Sequence, residues 1–176
     1  LTETTADMAF ALLLDVARRV AEGDRFVRTR VWEGWGPLQF LGADVSHATL
    51  GLIGLGRIGK SMIPRAQGFS MNVLYWNRTR LTPDEEASLK VTYCELEELL
   101  RQSDFVSLHV AQNTETRHLL GAREFSLMKP EALLVNTARG PIVDEKAMVL
   151  ALQSGQIAGA GLDVYEQEPL LEPELY

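Results

Sequence analysis

From residue 49 onward, short apolar runs alternate with stretches in which apolar residues recur at helical spacing. Short apolar runs bounded by turn residues are typical of buried strands, and longer periodic stretches are typical of helices. Two runs, residues 105–110 and 132–136, are almost continuously apolar, as expected for parallel strands covered on both faces. The pattern predicts strands at 49–54, 72–77, 90–93, 105–110, 132–136 and 159–164, and helices at 57–68, 95–102, 122–128 and 144–154. This alternation predicts an α/β fold with a doubly wound parallel sheet.

The N-terminal pattern predicts a helix over residues 4–22 that ends at Gly23, with Arg18 and Arg19 in its last turns. Residues 8–14 are apolar on every face, and such a helix needs burial on all sides. Two explanations stay open at this point. Either a second subunit or a missing domain covers the helix, or it is an ordinary core helix.

Two segments depart from the regular pattern. Residues 24–48 include Trp32 and Trp35 among several glycines and a proline, which predicts an irregular connector with aromatic anchors. Pro64 falls inside the predicted helix 57–68, where a proline removes one backbone hydrogen bond and clashes with the preceding turn. We therefore expect a kink in that helix.

The composition narrows the class of protein. The 176 residues suffice for one domain, 1–176, with a sizeable core, and 46% of them are hydrophobic. The net charge of −7 argues against a nucleic-acid or anionic-membrane partner. The single cysteine, Cys94, indicates a reducing, cytoplasmic setting, and neither a membrane span, a signal peptide nor a metal site is expected. Because the chain begins with Leu1, we expect it to be a piece of a longer protein.

Residues 51–59 carry the glycine pattern of a dinucleotide-binding βαβ unit, between a predicted strand and a predicted helix. Gly54 permits the tight turn after the strand. Gly56 has no Cβ, so a pyrophosphate can approach the backbone. Gly59 allows the helix to pack close to the sheet, and the helix N-terminus offers unpaired N–H groups to the phosphates. The sequence therefore predicts a Rossmann-type dinucleotide-binding domain.

The end of the second strand indicates which dinucleotide binds. NAD-binding domains have an acidic residue there that grips the ribose 2′-hydroxyl, but this chain has Asn77, followed by Arg78, Thr79 and Arg80. A guanidinium with amide and hydroxyl donors suits a 2′-phosphate, which a carboxylate would repel. We therefore expect NADP(H) to be preferred over NAD(H). The alternative is a solvated basic turn.

Two further motifs follow strands at the carboxyl edge of the predicted sheet, where open α/β sheets bind ligands. Residues 136–144 contribute a cation, Arg139, and residues 159–169 contribute two carboxylates, Asp163 and Glu168. These three groups predict either a polar site or a structural ion-pair network.

Taken together, the motifs resemble the D-isomer-specific 2-hydroxyacid dehydrogenases over essentially the whole chain. Within that family the chain is most similar to the glyoxylate/hydroxypyruvate reductases, on Gly-Trp-Gly-Pro at 34–37 and Asn-Arg-Thr at the ribose position. The motifs that carry the resemblance lie at 7–14, 50–59, 103–110, 114–118, 128–130, 136–140 and 161–169.

The resemblance implies hydride transfer between a nicotinamide cofactor and C2 of a small 2-oxo or 2-hydroxy acid. By the same resemblance, Arg139 holds the substrate carboxylate and carbonyl, and Glu168 pairs with a catalytic histidine and raises its pKa. Asp163 contacts the nicotinamide carboxamide. The remaining cofactor contacts are Leu55, Gly56, Arg57 and Ile58 at the pyrophosphate, His109 and Val110 in the cleft, and Thr137 and Ala138 beside the nicotinamide.

The catalytic histidine of the family follows the Glu-Pro element at a distance that this chain does not reach, and none of its three histidines occupies that position. We therefore expect the chain to bind dinucleotide with little turnover. Phosphoglycerate and lactate dehydrogenases of the same family remain alternatives, as does a dinucleotide-sensing corepressor. We also expect a homodimer, in which the partner or an absent domain shields Phe10, Leu13 and Leu14.

Overall fold

The computed structural model describes residues 1–175. Two helices, α1 (Thr2–Arg18) and α2 (Val20–Arg28), precede the sheet. Short 3₁₀ helices cover Gly140–Ile142 and Pro173–Leu175. The remaining elements, in chain order, are β1 (Thr49–Ile53), α3 (Arg57–Gly68), β2 (Asn72–Trp76), α4 (Pro83–Leu89), β3 (Thr92–Tyr93), α5 (Leu96–Gln102), β4 (Phe105–Leu108), α6 (Ala122–Leu127), β5 (Leu133–Asn136), α7 (Glu145–Gln153) and β6 (Gly159–Leu162).

The six strands form one parallel sheet in the order β3-β2-β1-β4-β5-β6. This is the strand order of a doubly wound dinucleotide-binding domain. The first three strands extend the sheet to one side of β1 and the last three extend it to the other, so the strand order reverses between β1 and β4. The predicted α/β fold and its parallel sheet are confirmed. Ligands of such sheets bind at the carboxyl ends of the strands, beside the point of reversal.

Each face of the sheet is covered by its own apolar core. Helices α1 and α3 cover one face, and α5, α6 and α7 cover the other. Successive strand residues therefore point into different cores, as Leu133 and Leu134 of β5 do. None of the helices in residues 1–175 is long and apolar enough to cross a membrane.

The burial of α1 corrects the expectation about Phe10 and Leu13. Leu13 is fully buried and Phe10 nearly so, inside the core that α1 shares with α3 and the sheet. Leu14 is partly buried against the same core. The domain itself therefore buries these side chains, whereas Met8 and Ala11 on the same helix are exposed.

The predicted helix 4–22 is wrong at its C-terminal end. The structure breaks it at Arg19, whose φ of 55° is left-handed. In an unbroken helix the Ala17 carbonyl would accept from the Ala21 N–H. Instead it accepts from the Ala43 N–H at 2.9 Å, and the Ala21 N–H donates to Asp15 Oδ1 at 2.8 Å.

This break allows a second helix to begin inside the predicted irregular connector. Helix α2 runs to Arg28 with Gly23 in its interior, so Gly23 does not end a helix and the irregular segment is shorter than expected. Helix α4 was not predicted, although Thr82 and Glu85 form a capping box at its N-terminus. Helix α3 continues through Pro64 as one helix.

Candidate functional site

The turn between β1 and α3 depends on two of its glycines. Gly54 has a φ of 97°, and a Cβ there would lie 2.7 Å from the carbonyl carbon of His109. A Cβ on Gly59 would overlap the carbonyl oxygen of Gly54. The conformational roles expected of Gly54 and Gly59 are therefore confirmed. Gly56 differs, because a Cβ there would meet no atom of the described residues 1–175 within 4 Å.

The open space at Gly56 lies at the N-terminus of α3. Gly56 is the N-cap residue, no side chain caps the helix, and its first turn contains no acidic residue. The first N–H groups of a helix have no intrahelical acceptor and carry the positive end of its dipole. This helix end therefore has the geometry and the polarity that a phosphate group requires.

A cleft of about 1240 Å³ opens at the carboxyl edge of the sheet and includes this helix end. The loops after β1, β4, β5 and β6 line it, together with the first residues of α1. The sequence-predicted site residues that line the cleft are Gly56, Arg57, Ile58, His109, Val110, Thr137, Ala138, Arg139 and Asp163. Those outside its lining are Gly54, Leu55, Gly59, Asn77, Arg78, Thr79 and Glu168.

The loop after β5 presents Thr137 and Arg139 to the cleft. The buried Asn136 shapes this loop, because its amide accepts from the Ala138 N–H and donates to the Arg139 carbonyl, both at 3.0 Å. Thr137 Oγ1 is buried and has no hydrogen-bond partner within residues 1–175. Buried polar groups are rarely left unpaired, so this hydroxyl fits a ligand atom in the cleft.

Arg139 is the cation of this loop. Its side chain is exposed, donates to the Ala138 carbonyl at 2.6 Å, and forms no ion pair among residues 1–175. A guanidinium without a carboxylate partner can take a planar carboxylate in two parallel hydrogen bonds. The cleft therefore offers a cation suited to an organic acid, next to the unpartnered hydroxyl of Thr137.

His109 lines the cleft as an uncharged group. Its Nε2 lies 2.9 Å from Ser107 Oγ, and burial lowers the pKa of the imidazole to about 4. At neutral pH the ring is therefore an uncharged imidazole, which keeps one N–H but lacks the acidic proton of an imidazolium. This favours the expected place in the cofactor cleft over a role as a proton donor.

The segment after β6 carries the two carboxylates. The Asp163 N–H donates to the Asn136 carbonyl at 3.0 Å, which ties this segment to the loop after β5. A Cβ on Gly140 would overlap the backbone of Tyr165, so the two segments also touch directly. Glu168 is exposed, and its Oε1 accepts from the Tyr165 N–H at 2.9 Å.

Sequence reasoning missed a polar cluster beside the cleft. Glu166 Oε1 lies 2.6 Å from His118 Nε2 and 3.3 Å from Arg117, which lines the cleft. The Glu166 N–H donates to Glu145 Oε2 at 2.8 Å, and the Glu145 N–H donates back to Glu166 Oε2 at 3.2 Å. Sequence spacing offers no signal for it, because its members are far apart along the chain.

At the end of β2, Asn77 supports the glycine turn. Its Oδ1 accepts from the Leu55 N–H at 3.4 Å, and its Nδ2 donates to the Thr79 carbonyl at 2.8 Å. Arg78 is well exposed, and its one ion pair among residues 1–175 joins it to Glu115 at 3.5 Å. Residue 77, where NAD-binding domains usually carry the carboxylate that binds the ribose 2′-hydroxyl, is therefore an asparagine.

The strand order, the glycine turn and the cleft at the point of reversal define a dinucleotide-binding domain of the Rossmann type. Residues 10–176 match the family model described as "D-isomer specific 2-hydroxyacid dehydrogenase, NAD binding domain". The chain belongs to this family, as its motifs suggested.

Individual relatives agree with this assignment. The chain is 51% identical to a glyoxylate reductase of Thermococcus litoralis, over 100% of this chain and 54% of that protein. A glyoxylate reductase crystal structure from Paecilomyes thermophila superimposes with a TM-score of 0.89 at 43% identity, covering 99% of this chain and 52% of that one. For apo D-mandelate dehydrogenase of Rhodotorula graminis the TM-score is 0.88 at 35% identity, covering 97% and 51%. The chain thus spans about half the length of the curated relatives it matches.

Proposed function

We propose that this chain is the cofactor-binding domain of an NADP(H)-dependent reductase of small 2-oxo acids such as glyoxylate or hydroxypyruvate. The overall reaction converts the 2-oxo acid, NADPH and a proton into the 2-hydroxy acid and NADP⁺. The buried Thr137 hydroxyl, unpartnered within residues 1–175, lies in a cleft that begins at an uncapped helix N-terminus, and this observation carries the proposal. The roughly 50% identity to proteins named glyoxylate reductase supports the substrate class.

Different residues of the cleft would bind different parts of the dinucleotide. Backbone N–H groups from Leu55 to Ile58 would hold the pyrophosphate, and Thr137 and Ala138 would lie beside the nicotinamide with His109 and Val110. Asp163 would contact the carboxamide. A nicotinamide held by these residues would supply hydride chemistry at the substrate C2. These residues fix the orientation in which that transfer takes place.

The substrate would be held by Arg139. Its planar guanidinium matches a carboxylate, and its charge also stabilises the negative charge that develops on the reduced carbonyl oxygen. In this proposal Glu168 is a catalytic residue because it pairs with the histidine that donates the proton. Among residues 1–175 its exposed carboxylate accepts a hydrogen bond only from the Tyr165 N–H, which supports this role because oxygen atoms remain available for such a partner.

We propose that the proton donor lies outside this chain. His109 is neutral at ordinary pH, His118 lies outside the lining of the cleft, and His47 precedes β1, at the opposite edge of the sheet from the cleft. General acid catalysis contributes about 10²–10⁴-fold to a rate. The chain by itself should therefore bind dinucleotide but reduce glyoxylate with NADPH only slowly. Turnover at a rate typical of enzymes would show that the proton donor lies within the chain.

The preference for NADP(H) rests on Arg78 and on the absence of a carboxylate at Asn77. Calorimetry should show tighter binding of NADPH than of NADH. Arg78→Ala should weaken NADPH selectively, by about 1.5–3 kcal/mol for a lost charged hydrogen bond. Arg28→Ala is the matched control, because this exposed arginine pairs with Asp24 on α2, away from the cleft. Equal affinities for the two cofactors would contradict the preference.

We also propose that the protein is a homodimer and that it works in a reducing, cytoplasmic setting. The single cysteine supports the setting. Because the domain itself buries Phe10 and Leu13, the support for a dimer comes from a different surface. We call this surface the connector patch. Helix α2 carries charges of both signs beside it, which suit a self-complementary contact with a second copy. Its exposed apolar residues are Val20, Val27, Val31, Trp32, Trp35, Leu38 and Leu41.

A further inference from the structure

We propose that Glu115 determines how strongly this domain prefers NADP(H), by opposing the 2′-phosphate at the ribose position. This inference rests on the proposed function, because it requires the cofactor ribose to lie at residues 77–79. Glu115 lies in the motif at 114–118, which contributes none of the predicted site residues. Its importance comes from where the loop after β4 places it.

Glu115 and Arg78 come from the two loops on either side of the glycine turn. Strands β2 and β4 flank β1 in the sheet, Arg78 follows β2, and Glu115 follows β4. Glu115 Oε2 lies 3.5 Å from Arg78 Nη1. A carboxylate therefore stands within reach of the guanidinium that is expected to bind the 2′-phosphate.

The second arginine of the turn cannot substitute for Arg78. Arg80 donates to both carboxylate oxygens of Glu86, at 2.8 and 2.9 Å, and lies over the Tyr93 ring at 4.9 Å. Glu86 also accepts from the Tyr75 hydroxyl, and these hydrogen bonds lower its pKa to about 2. Arg80 is thus held by a charged partner, which leaves the phosphate to Arg78.

Arg78 itself is held loosely. The side chains of Arg78 and Glu115 are 81% and 71% exposed, and exposed ion pairs contribute at most about 1 kcal/mol. A phosphate, with more charge and more acceptor oxygens than a carboxylate, can therefore draw the guanidinium away from Glu115.

When this happens, Glu115 can move its carboxylate only by rotating its side chain, because its backbone is held in a tight turn. Asn113 Oδ1 accepts from the N–H groups of Glu115 and Thr116, at 2.8 and 3.0 Å, and the Thr116 hydroxyl donates to the Ala111 carbonyl at 2.7 Å. The carboxylate thus stays within one side-chain length of this turn, at the ribose end of the site. There it competes for Arg78 and repels the 2′-phosphate, whereas the uncharged 2′-hydroxyl of NAD(H) meets no such repulsion.

The test compares the dissociation constants of NADPH and NADH for the wild-type chain, Glu115→Gln and a control. Glu115→Gln should tighten NADPH about threefold to fivefold, which is the upper range for an exposed charge pair, and leave NADH within about twofold. The gain should shrink at high salt. Glu131→Gln removes the same charge from an exposed side chain ahead of β5, at the opposite edge of the sheet, and should change neither constant.

Arg78→Ala, measured alongside, separates the two proposals. If Arg78→Ala weakens NADPH and Glu115→Gln leaves the NADPH-to-NADH ratio unchanged or lowers it, the role of Glu115 is overturned and the cofactor preference stands. If Arg78→Ala changes neither constant, the ribose lies elsewhere and both proposals fail. A selective gain for NADPH in Glu115→Gln, absent in Glu131→Gln, supports Glu115 as the determinant.

Discussion

Gly59 in the first turn of α3 and Gly54 at the end of β1 approach each other so closely that a Cβ on residue 59 would overlap the Gly54 carbonyl oxygen. This contact sets how near the helix lies to the sheet. It also brings the helix N-terminus to the carboxyl end of β1, where the cleft begins.

The first prediction follows from this contact. Gly59→Ala should destabilise the fold by about 1–3 kcal/mol, the usual cost of forcing an extra carbon into a packed site. Chemical denaturation monitored by circular dichroism measures this. Gly68→Ala is the matched control, since a Cβ at the end of the same helix meets nothing within 4 Å. Equal stabilities for the two variants would show that α3 can shift away from the sheet without cost.

Gly56 should behave in the opposite way. A Cβ on this residue meets no protein atom within 4 Å and its φ of −74° suits alanine, so Gly56→Ala should unfold at the same denaturant concentration as wild type. The added methyl group would occupy the space proposed for the pyrophosphate. NADPH affinity should therefore fall at least about tenfold, or about 1.4 kcal/mol. Unchanged affinity in calorimetry would place the pyrophosphate away from this turn.

Stability should fall in acid because of Glu86. Hydrogen bonds from Arg80 and Tyr75 lower the pKa of Glu86 from 4.5 to about 2. A carboxyl group with a lowered pKa in the folded state stabilises the fold above its unfolded pKa, and this contribution is lost as the pH falls below 4.5 towards 2. Urea titrations from pH 6 to about 2 should show this loss.

In that experiment Glu86→Gln should lower stability at neutral pH and flatten the acid dependence. The control is Asp84→Asn on the same helix, because Asp84 forms no ion pair within residues 1–175. If Glu86→Gln and wild type lose stability in parallel between pH 4.5 and 2, another carboxylate is responsible.

The connector patch should mediate dimer formation. Trp35 is 83% exposed, so Trp35→Ser should leave the fold intact and shift sedimentation from dimer towards monomer. Leu150→Ser, on an exposed position of α7, removes an apolar side chain elsewhere and should not change the sedimentation. A wild-type chain that is monomeric at tens of micromolar while folded would contradict the dimer.

Leu13→Asp, in contrast, should unfold the domain, because it buries an unpaired carboxylate in the core.

The site could be predicted from the sequence only where its chemistry is local. Gly54, Gly56 and Gly59 lie within six residues, and Thr137 and Arg139 follow a strand directly, so their arrangement depends on one turn each. The pairing of Glu166 with His118 had no such signal, because their separation along the chain is 48 residues. Helix α4 could have been found from Thr82 and Glu85, whose spacing is that of a capping box.

By itself, the sequence determined the class of fold, because the period of the apolar residues and the position of the glycine turn are properties of neighbouring residues. Only the tertiary structure decided the break at Arg19, since the Ala17 carbonyl takes a partner, Ala43, that lies beyond the helix. The tertiary structure also decided which arginine after β2 is firmly paired. Arg80 pairs with Glu86, whereas Arg78 has only the exposed Glu115 as its ion-pair partner among residues 1–175. Competition among partners for one group depends on their positions in space, which residue order alone does not specify.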